Sequence, residues 1–318
     1  MEKIIIIRAR LTLTYDALGS FAGTGAHLQR IFGIFALSKL LRLSYMHSVI
    51  QNLGVSPMDP FQDEESINTY IKRINSEYFL PSTKGAPTNF DATYRFDRLP
   101  YKRLVWLILN SIIRRKNYLL VLGGAYPIIE KFTSSYKAVQ NIFPATAGMG
   151  EHSAGVKTIV LHIRQDFNEH ILPGEATIRG LSNSYYLDIL HKIITDYCDK
   201  DKGIELIIVT DAPPADFTYV PVREQLVLWA AFPKFQNGCV EIKGRTFQEF
   251  NSRFLEKFLV IHGGDPMLAI QEMRGADYLV MSRSSLSYVG AILNTKGVVF
   301  YPPNFGSKPM PKWKQGWK

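Results

Sequence analysis

The chain has 318 residues, 46% of them hydrophobic and 20% charged, with a formal net charge of +9 and a sequence pI of about 9.4. This is the composition of an ordinary globular protein long enough for two domains, and its charge favours an anionic partner: a nucleotide, nucleic acid, acidic glycan or membrane surface. Two cysteines, Cys198 and Cys239, exclude a disulfide framework and a cysteine-only zinc site.

Ile4–Ile7 is a β-branched run that predicts a first buried strand; it is too short for a signal-peptide core and is followed by Arg8 and Arg10. The longest other apolar run, Leu104–Ile113, falls short of the ~20 residues that span a bilayer. With no targeting or transmembrane segment in view, a cytoplasmic location is expected. A loop from Asp16 to Gly25 holds Gly19, Gly23 and Gly25, and Ala26–Leu41 then carries apolar residues at helical spacing. Strand, glycine loop and helix let backbone N–H groups approach an anion. The spacing matches neither common fingerprint: no Lys-Ser/Thr follows Gly25, and Leu28 stands where a dinucleotide turn has its third glycine. The plainer reading is a loop that needs positive φ.

Leu43–His47 predicts a second strand, Asp59–Ile74 a partly helical charged segment and Pro81–Pro100 an irregular loop. Leu104–Arg114 reads as an apolar helix with a basic end, Tyr118–Leu122 as a strand and Ala125–Gln140 as a helix. The Gly- and Ala-rich stretch Pro144–Gly155 marks a domain boundary, giving domains 1–150 and 151–318 with a cleft near Gly148–Gly155. Beyond it, strands at Thr158–Ile163, Ile204–Thr210, Val240–Ile242, Tyr278–Met281 and Val298–Tyr301 are expected. They alternate with helices at Ser184–Tyr197, Val222–Phe232, Phe247–Leu259, Pro266–Arg274 and Leu286–Leu293. That alternation predicts an α/β fold with a doubly wound parallel sheet. The Lys- and Pro-rich tail from Pro302 to Lys318 reads as an extended basic segment that would allow peripheral association with a membrane.

Three strand ends of the second half are polar together: His162-Ile163-Arg164 with Asp166 nearby, Thr210-Asp211, and Ser282-Arg283-Ser284-Ser285-Leu286-Ser287. In a parallel sheet they face one edge, where ligands bind. Arg164 offers a two-point fork for phosphate, and serines opening a helix offer hydroxyls and free N–H groups. Each has a plain structural reading too: a surface ion pair of Arg164 with Asp166, helix caps for the serines, a turn before Pro213-Pro214 for Asp211.

These segments resemble the fucosyltransferase superfamily, which covers the α1,2-, α1,6- and protein O-fucosyltransferases. His162-Ile163-Arg164 resembles its HxR(R)xD segment, and Thr210-Asp211 its (S/T)D strand end. The run from Ala276 to Leu293 resembles its closing AD…S.SSFS..GA.L segment, and Gly23-Thr24-Gly25-Ala26-His27-Leu28 its G.GNQL loop. Gln165 stands for the second Arg, Asp166 comes one position early, and Ala26-His27 replaces Asn-Gln.

The resemblance implies the GT-B type: two Rossmann-like domains, an N-terminal acceptor-side domain and a C-terminal domain that binds the nucleotide-sugar. It implies an inverting, metal-independent glycosyltransferase of glycan biosynthesis with no cofactor, a GDP-sugar donor (GDP-fucose first) and a glycan acceptor. Carried over residue by residue, Arg164 and His162 meet the diphosphate, Ser284, Ser285 and Ser287 the phosphate or ribose, and Asp211 the nucleoside. Gly23, Gly25 and His27 close on donor and acceptor. Gly174-Glu175-Ala176 resembles the site of a catalytic Glu, making Glu175 the first choice of base, ahead of Glu169 and His27. An inactive glycan- or nucleotide-binding descendant of the fold is the alternative. A nucleic-acid binder is a more distant one, since no recognition module accompanies the basic residues and no nucleic-acid partner is expected. Asp199-Lys200-Asp201 is a literal DxD, but it falls between a helix and a strand, at the wrong sheet edge, and reads as a loop.

Overall fold

The computed structural model describes residues 9–17, 22–54, 61, 63–124, 126–144, 156–164, 181, 183–197, 204–210, 240–242, 245–247, 255–262 and 265–315. The chain divides after Pro144 into two compact units, each with its own parallel sheet.

In the first unit the strands are β1 (Leu11–Tyr15), β2 (Ser44–Tyr45), β3 (Ala92–Phe96) and β4 (Tyr118–Leu122), in the order β2-β1-β4-β3. All described neighbours pair in parallel. Between them run α1 (Thr24–Leu40), α2 (Glu64–Glu77) and α3 (Tyr101–Ile113). β1 is buried along its whole length, as a central parallel strand must be. It is the strand that leads to the glycine loop, and Ile4–Ile7 lies outside the described residues. β3 emerges inside the stretch expected to be an irregular loop. As an edge strand it alternates between half-buried and exposed positions, so its residues never formed an apolar run. The expected helix over 125–140 is instead α4 (Tyr126–Ile129), a 3-10 turn at Thr133–Tyr136 and α5 (Lys137–Gln140), all three packed on α1.

The second unit holds β5 (Lys157–Ile163), β6 (Ile204–Thr210), β9 (Leu255–His262), β10 (Tyr278–Val280), β11 (Val298–Tyr301) and β12 (Lys314–Gln315). Their order is β12-β11-β10-β5-β6-β9, with every pairing parallel. β7 (Val240–Ile242) does not join this sheet; it forms an antiparallel hairpin with β8 (Arg245–Phe247). The helix expected over 247–259 gives way to the start of β9 at Leu255. Phenylalanines at 247, 250, 254 and 258 mimic helical spacing, but Phe258-Leu259-Val260-Ile261 pairs residue for residue with β6. The helix expected over 222–232 lies outside the described residues, as does the cleft expected near Gly148–Gly155.

α6 (Asn183–Tyr197) connects β5 to β6. It packs Tyr186, Ile189, Leu190 and Ile193 against alternate sheet residues Ile159, Leu161, Ile163, Leu206, Ile208 and Val280. α7 (Pro266–Gly275) and α8 (Ser285–Leu293) pack on one another. Their close approach needs a residue without a side chain: a Cβ on Gly290 would stand 2.6 Å from the Met273 Cβ. The order in which the chain adds strands reverses between β5 and β10. From β5 the chain moves outward through β6 to β9, and from β10 it moves the opposite way through β11 to β12. That reversal opens a crevice at the carboxyl ends of the two strands.

The tail is docked along much of its length. Trp313 packs edge-on to Tyr288, with ring centroids 5.2 Å apart, and stacks on Tyr301 at 6.1 Å. The Tyr288 hydroxyl donates to the Lys308 carbonyl at 2.7 Å.

Candidate functional site

Arg164 follows the last residue of β5, and Ser282, Arg283 and Ser284 link β10 to α8. One Arg164 Nη donates to Ser284 Oγ at 3.3 Å, across 120 positions of sequence. Ser284 is the N-cap of α8, and its Oγ also accepts from the Leu286 backbone N–H at 3.2 Å. A guanidinium therefore sits against the positive end of a helix dipole. Two like charges converge there, an arrangement that an anion between them relieves.

Behind this pair lies a buried polar network. His162 Nδ1 is 2.5 Å from Ser282 Oγ, and Ser282 is fully buried. The Ser287 hydroxyl is directed at the carbonyls of Ser282 and Ser284, 3.0 Å from each. Burial, and secondarily the charge of Arg164, hold the His162 pKa down to about 3, so its ring is neutral. His162 and Ser287 thus brace the strand ends from beneath. Ser285, half-buried at the first position of α8, lies at the mouth.

Two neighbours escaped sequence reasoning. Tyr185 on α6 donates to the Met281 carbonyl at 3.3 Å, and burial raises its pKa above the ordinary phenol value. Arg283 donates to the Pro303 carbonyl at 2.9 Å. A buried Tyr on the helix after the first strand is the signal that could have flagged the former; nothing local separates Arg283 from Arg164.

Other letters of the closing segment are structural. Asp277 pairs with Lys157 at 2.9 Å and accepts from the Thr158 N–H at 3.0 Å, stitching β10 to the start of β5. Just beyond the segment, Asn294 donates to the carbonyls of Met273 and Ala276, at 3.0 and 2.8 Å, and accepts from the Gly297 N–H at 2.7 Å.

The remaining candidates fall elsewhere. Asp211, Asp166, Glu169, Glu175 and the DxD at 199–201 lie outside the described residues. Gly23, Gly25 and His27 belong to the first unit. Gly23 is the N-cap of α1 with φ −69°, and Gly25 is inside the helix, so the expected positive φ is not what these two glycines supply. His27 is fully buried, with Nδ1 2.8 Å from the Tyr15 hydroxyl. Burial, then the Arg30 charge, lower its pKa to about 4 against the opposing pull of the Ala22 and Asn52 carbonyls.

Two solved structures are similar to this chain along most of its length. One is a mutant of Arabidopsis thaliana FUT1 in complex with GDP, at 10% identity and a TM-score of 0.42, covering 96% of this chain and 73% of that one. The other is the E. coli heptosyltransferase WaaC with ADP, at 9% identity and a TM-score of 0.37, covering 94% of this chain and 90% of that one. No protein-family model and no curated protein matches the chain.

Proposed function

We propose that the second unit binds the diphosphate of a nucleotide-sugar at the crevice between β5 and β10, and that the chain is a glycosyltransferase. The observation that carries this reading is the Arg164–Ser284 contact at the capped start of α8, placed where the strand order reverses. Arg164 and the first-turn N–H groups of α8 hold the two phosphates. Negative charge grows on the leaving diphosphate as the glycosidic bond to the donor breaks, and the same cationic groups stabilise it most at that moment. Ser284 positions Arg164, while His162, Ser282 and Ser287 keep the two strand ends in register.

The motif resemblance supports the finer terms: a GDP-sugar donor with fucose first, a glycan hydroxyl as acceptor, inversion, no metal, and Asp211 on the nucleoside. Glu175 takes the acceptor proton in this reading. His27, enclosed within the first unit, serves as a packing and positioning residue there.

The test is calorimetric titration with GDP, UDP, CDP and dTDP, on the native chain and on Arg164→Ala. Charge-assisted bonds contribute about 1.5–3 kcal/mol each, so Arg164→Ala should weaken GDP binding by about ten- to a hundredfold. An unchanged dissociation constant in the folded variant removes the site. Hydrolysis of GDP-fucose by the native chain separates an enzyme from a binding-only descendant.

A further inference from the structure

α3 of the first unit presents an apolar face to solvent. It turns only Leu104, Leu107 and Ser111 inward, a narrow stripe at helical spacing. Tyr101, Val105, Trp106, Leu109 and Ile113 are exposed, Leu109 by 53% and Ile113 by 78%. At 3.6 residues per turn these five fall in one arc on the side away from the buried stripe, along a helix about 20 Å long. Scattered exposed apolar residues are ordinary, but a contiguous strip marks an interaction surface.

The margins of the strip are cationic. Arg98, Lys102 and Arg103 lie at its start, Arg114, Arg115 and Lys116 at its end, and no Asp or Glu occurs between 98 and 116. The Arg103 guanidinium lies over the Trp106 ring, 4.7 Å from its centroid. Arg115 holds φ 52°, the left-handed helix-ending conformation that favours glycine, and its carbonyl accepts from Arg10 at 2.8 Å. A basic side chain therefore occupies a position where the backbone prefers none.

We propose that α3 docks the protein on an anionic lipid bilayer. The helix lies in the plane of the interface, with the apolar arc among the upper acyl chains and the flanking Arg and Lys at the headgroup phosphates. Trp106 and Tyr101 suit that boundary, and Lys102, inside the arc, reaches outward along its own stem. Charge complementarity decides for lipid over a second copy of the chain, because a self-contact would press like-charged margins together. None of the described helices is long and apolar enough to cross a membrane, so attachment through α3 is peripheral. The inference rests neither on the donor site nor on the docked tail.

The experiment is co-sedimentation of the full chain with vesicles of phosphatidylcholine plus phosphatidylglycerol, and with phosphatidylcholine alone, across a salt series. Binding should require the anionic lipid and fall with salt. Leu109→Asp should lower partitioning about tenfold or more, and Ile113→Ser, at the most exposed position of the strip, should lower it in the same direction. Removing Arg114 and Lys116 together as Gln should cost about fivefold per charge. A Lys312→Gln, Lys314→Gln tail variant should bind as the native chain does. Native protein left in the supernatant overturns the proposal. So does equal pelleting of both α3 variants with unchanged circular dichroism, or loss of binding in the tail variant. A lipid-free dimer that Leu109→Asp dissolves assigns the face to a second copy instead.

Discussion

Two buried neutral histidines, one in each unit, make the fold acid-labile in a way that can be calculated. His27 is 0% and His162 4% exposed, and burial lowers their pKa values to about 4 and about 3 from 6.5. Below pH 6.5 the unfolded chain takes up a proton at each position while the native one does not. Each histidine therefore contributes stability that is complete above pH 6.5 and is lost as the pH falls toward its folded value. Between pH 6 and pH 5 the loss is about 1 kcal/mol per histidine. At pH 5 the deficit against alkaline conditions is about 2 kcal/mol in each unit, a sizeable share of the 5–15 kcal/mol typical of a folded domain. The assay is urea denaturation followed by circular dichroism at half-unit steps from pH 5 to pH 8. His162→Asn should lower stability at pH 8, since Ser282 loses its 2.5 Å partner, and should reduce the slope between pH 6 and pH 5. His27→Asn should reduce the slope in the first unit, where His47, whose pKa burial also lowers, keeps a share. A slope unchanged in both variants would falsify the assignment, and carboxylates would then carry the pH dependence.

Three further outcomes are expected, the last of them from the motif resemblance. Arg164→Lys should recover only part of the nucleotide affinity lost in Arg164→Ala, because one ammonium cannot reproduce the guanidinium fork, and Ser284→Ala should cost less than either; titration with GDP ranks the three. Gly297→Ala should destabilise the second unit by about 3 kcal/mol, since its Cβ would stand 2.1 Å from the Ala276 carbonyl oxygen and 2.8 Å from that of Asp277; thermal unfolding measures it. Transfer activity should survive EDTA, and loss restored by manganese would refute the metal-independent mechanism.

The second sheet was largely legible because its strands are nearly continuous apolar runs, the pattern a doubly buried parallel strand imposes. Ile204–Thr210 and Val298–Tyr301 have the boundaries expected of them. The misses share a cause. β1 alternates Leu with Thr, so its two-sided burial is hidden and the β-branched Ile4–Ile7 outweighs it. β3 lies at a sheet edge and leaves alternate residues exposed. β9 carries phenylalanines at a spacing that suits a helix equally well, and only pairing with β6 decides. In the site, the convergence of Arg164 with Ser284 was readable from two polar strand ends. What each serine does was not. Ser284 caps and Ser287 braces through contacts within five positions, while Ser282 meets His162 and Ser284 meets Arg164 across 120.

The two units each offer a helix start after a parallel strand, and among the described residues the proposed anion site draws on only one of them. At the start of α1 the backbone approaches another piece of backbone. The Gly54 N–H donates to the Ala22 carbonyl at 2.9 Å, and a Cβ on Gly54 would meet Ala22 backbone atoms at 3.3 Å. Thr24 and Gly25 are buried in that first turn, and no side chain caps it. Gly54 there serves the close crossing of two chain segments. At the start of α8 the cap is a serine, the next residue is half-exposed, and a guanidinium from the neighbouring strand arrives at 3.3 Å. A guanidinium at the positive end of a helix is an arrangement suited to an anion, and the proposed function takes it so. A nucleotide located on the first unit, by crosslinking of a photoreactive GDP analogue to a peptide within 22–54, would reverse this assignment. Crosslinking to a peptide that contains Ser284 would uphold it.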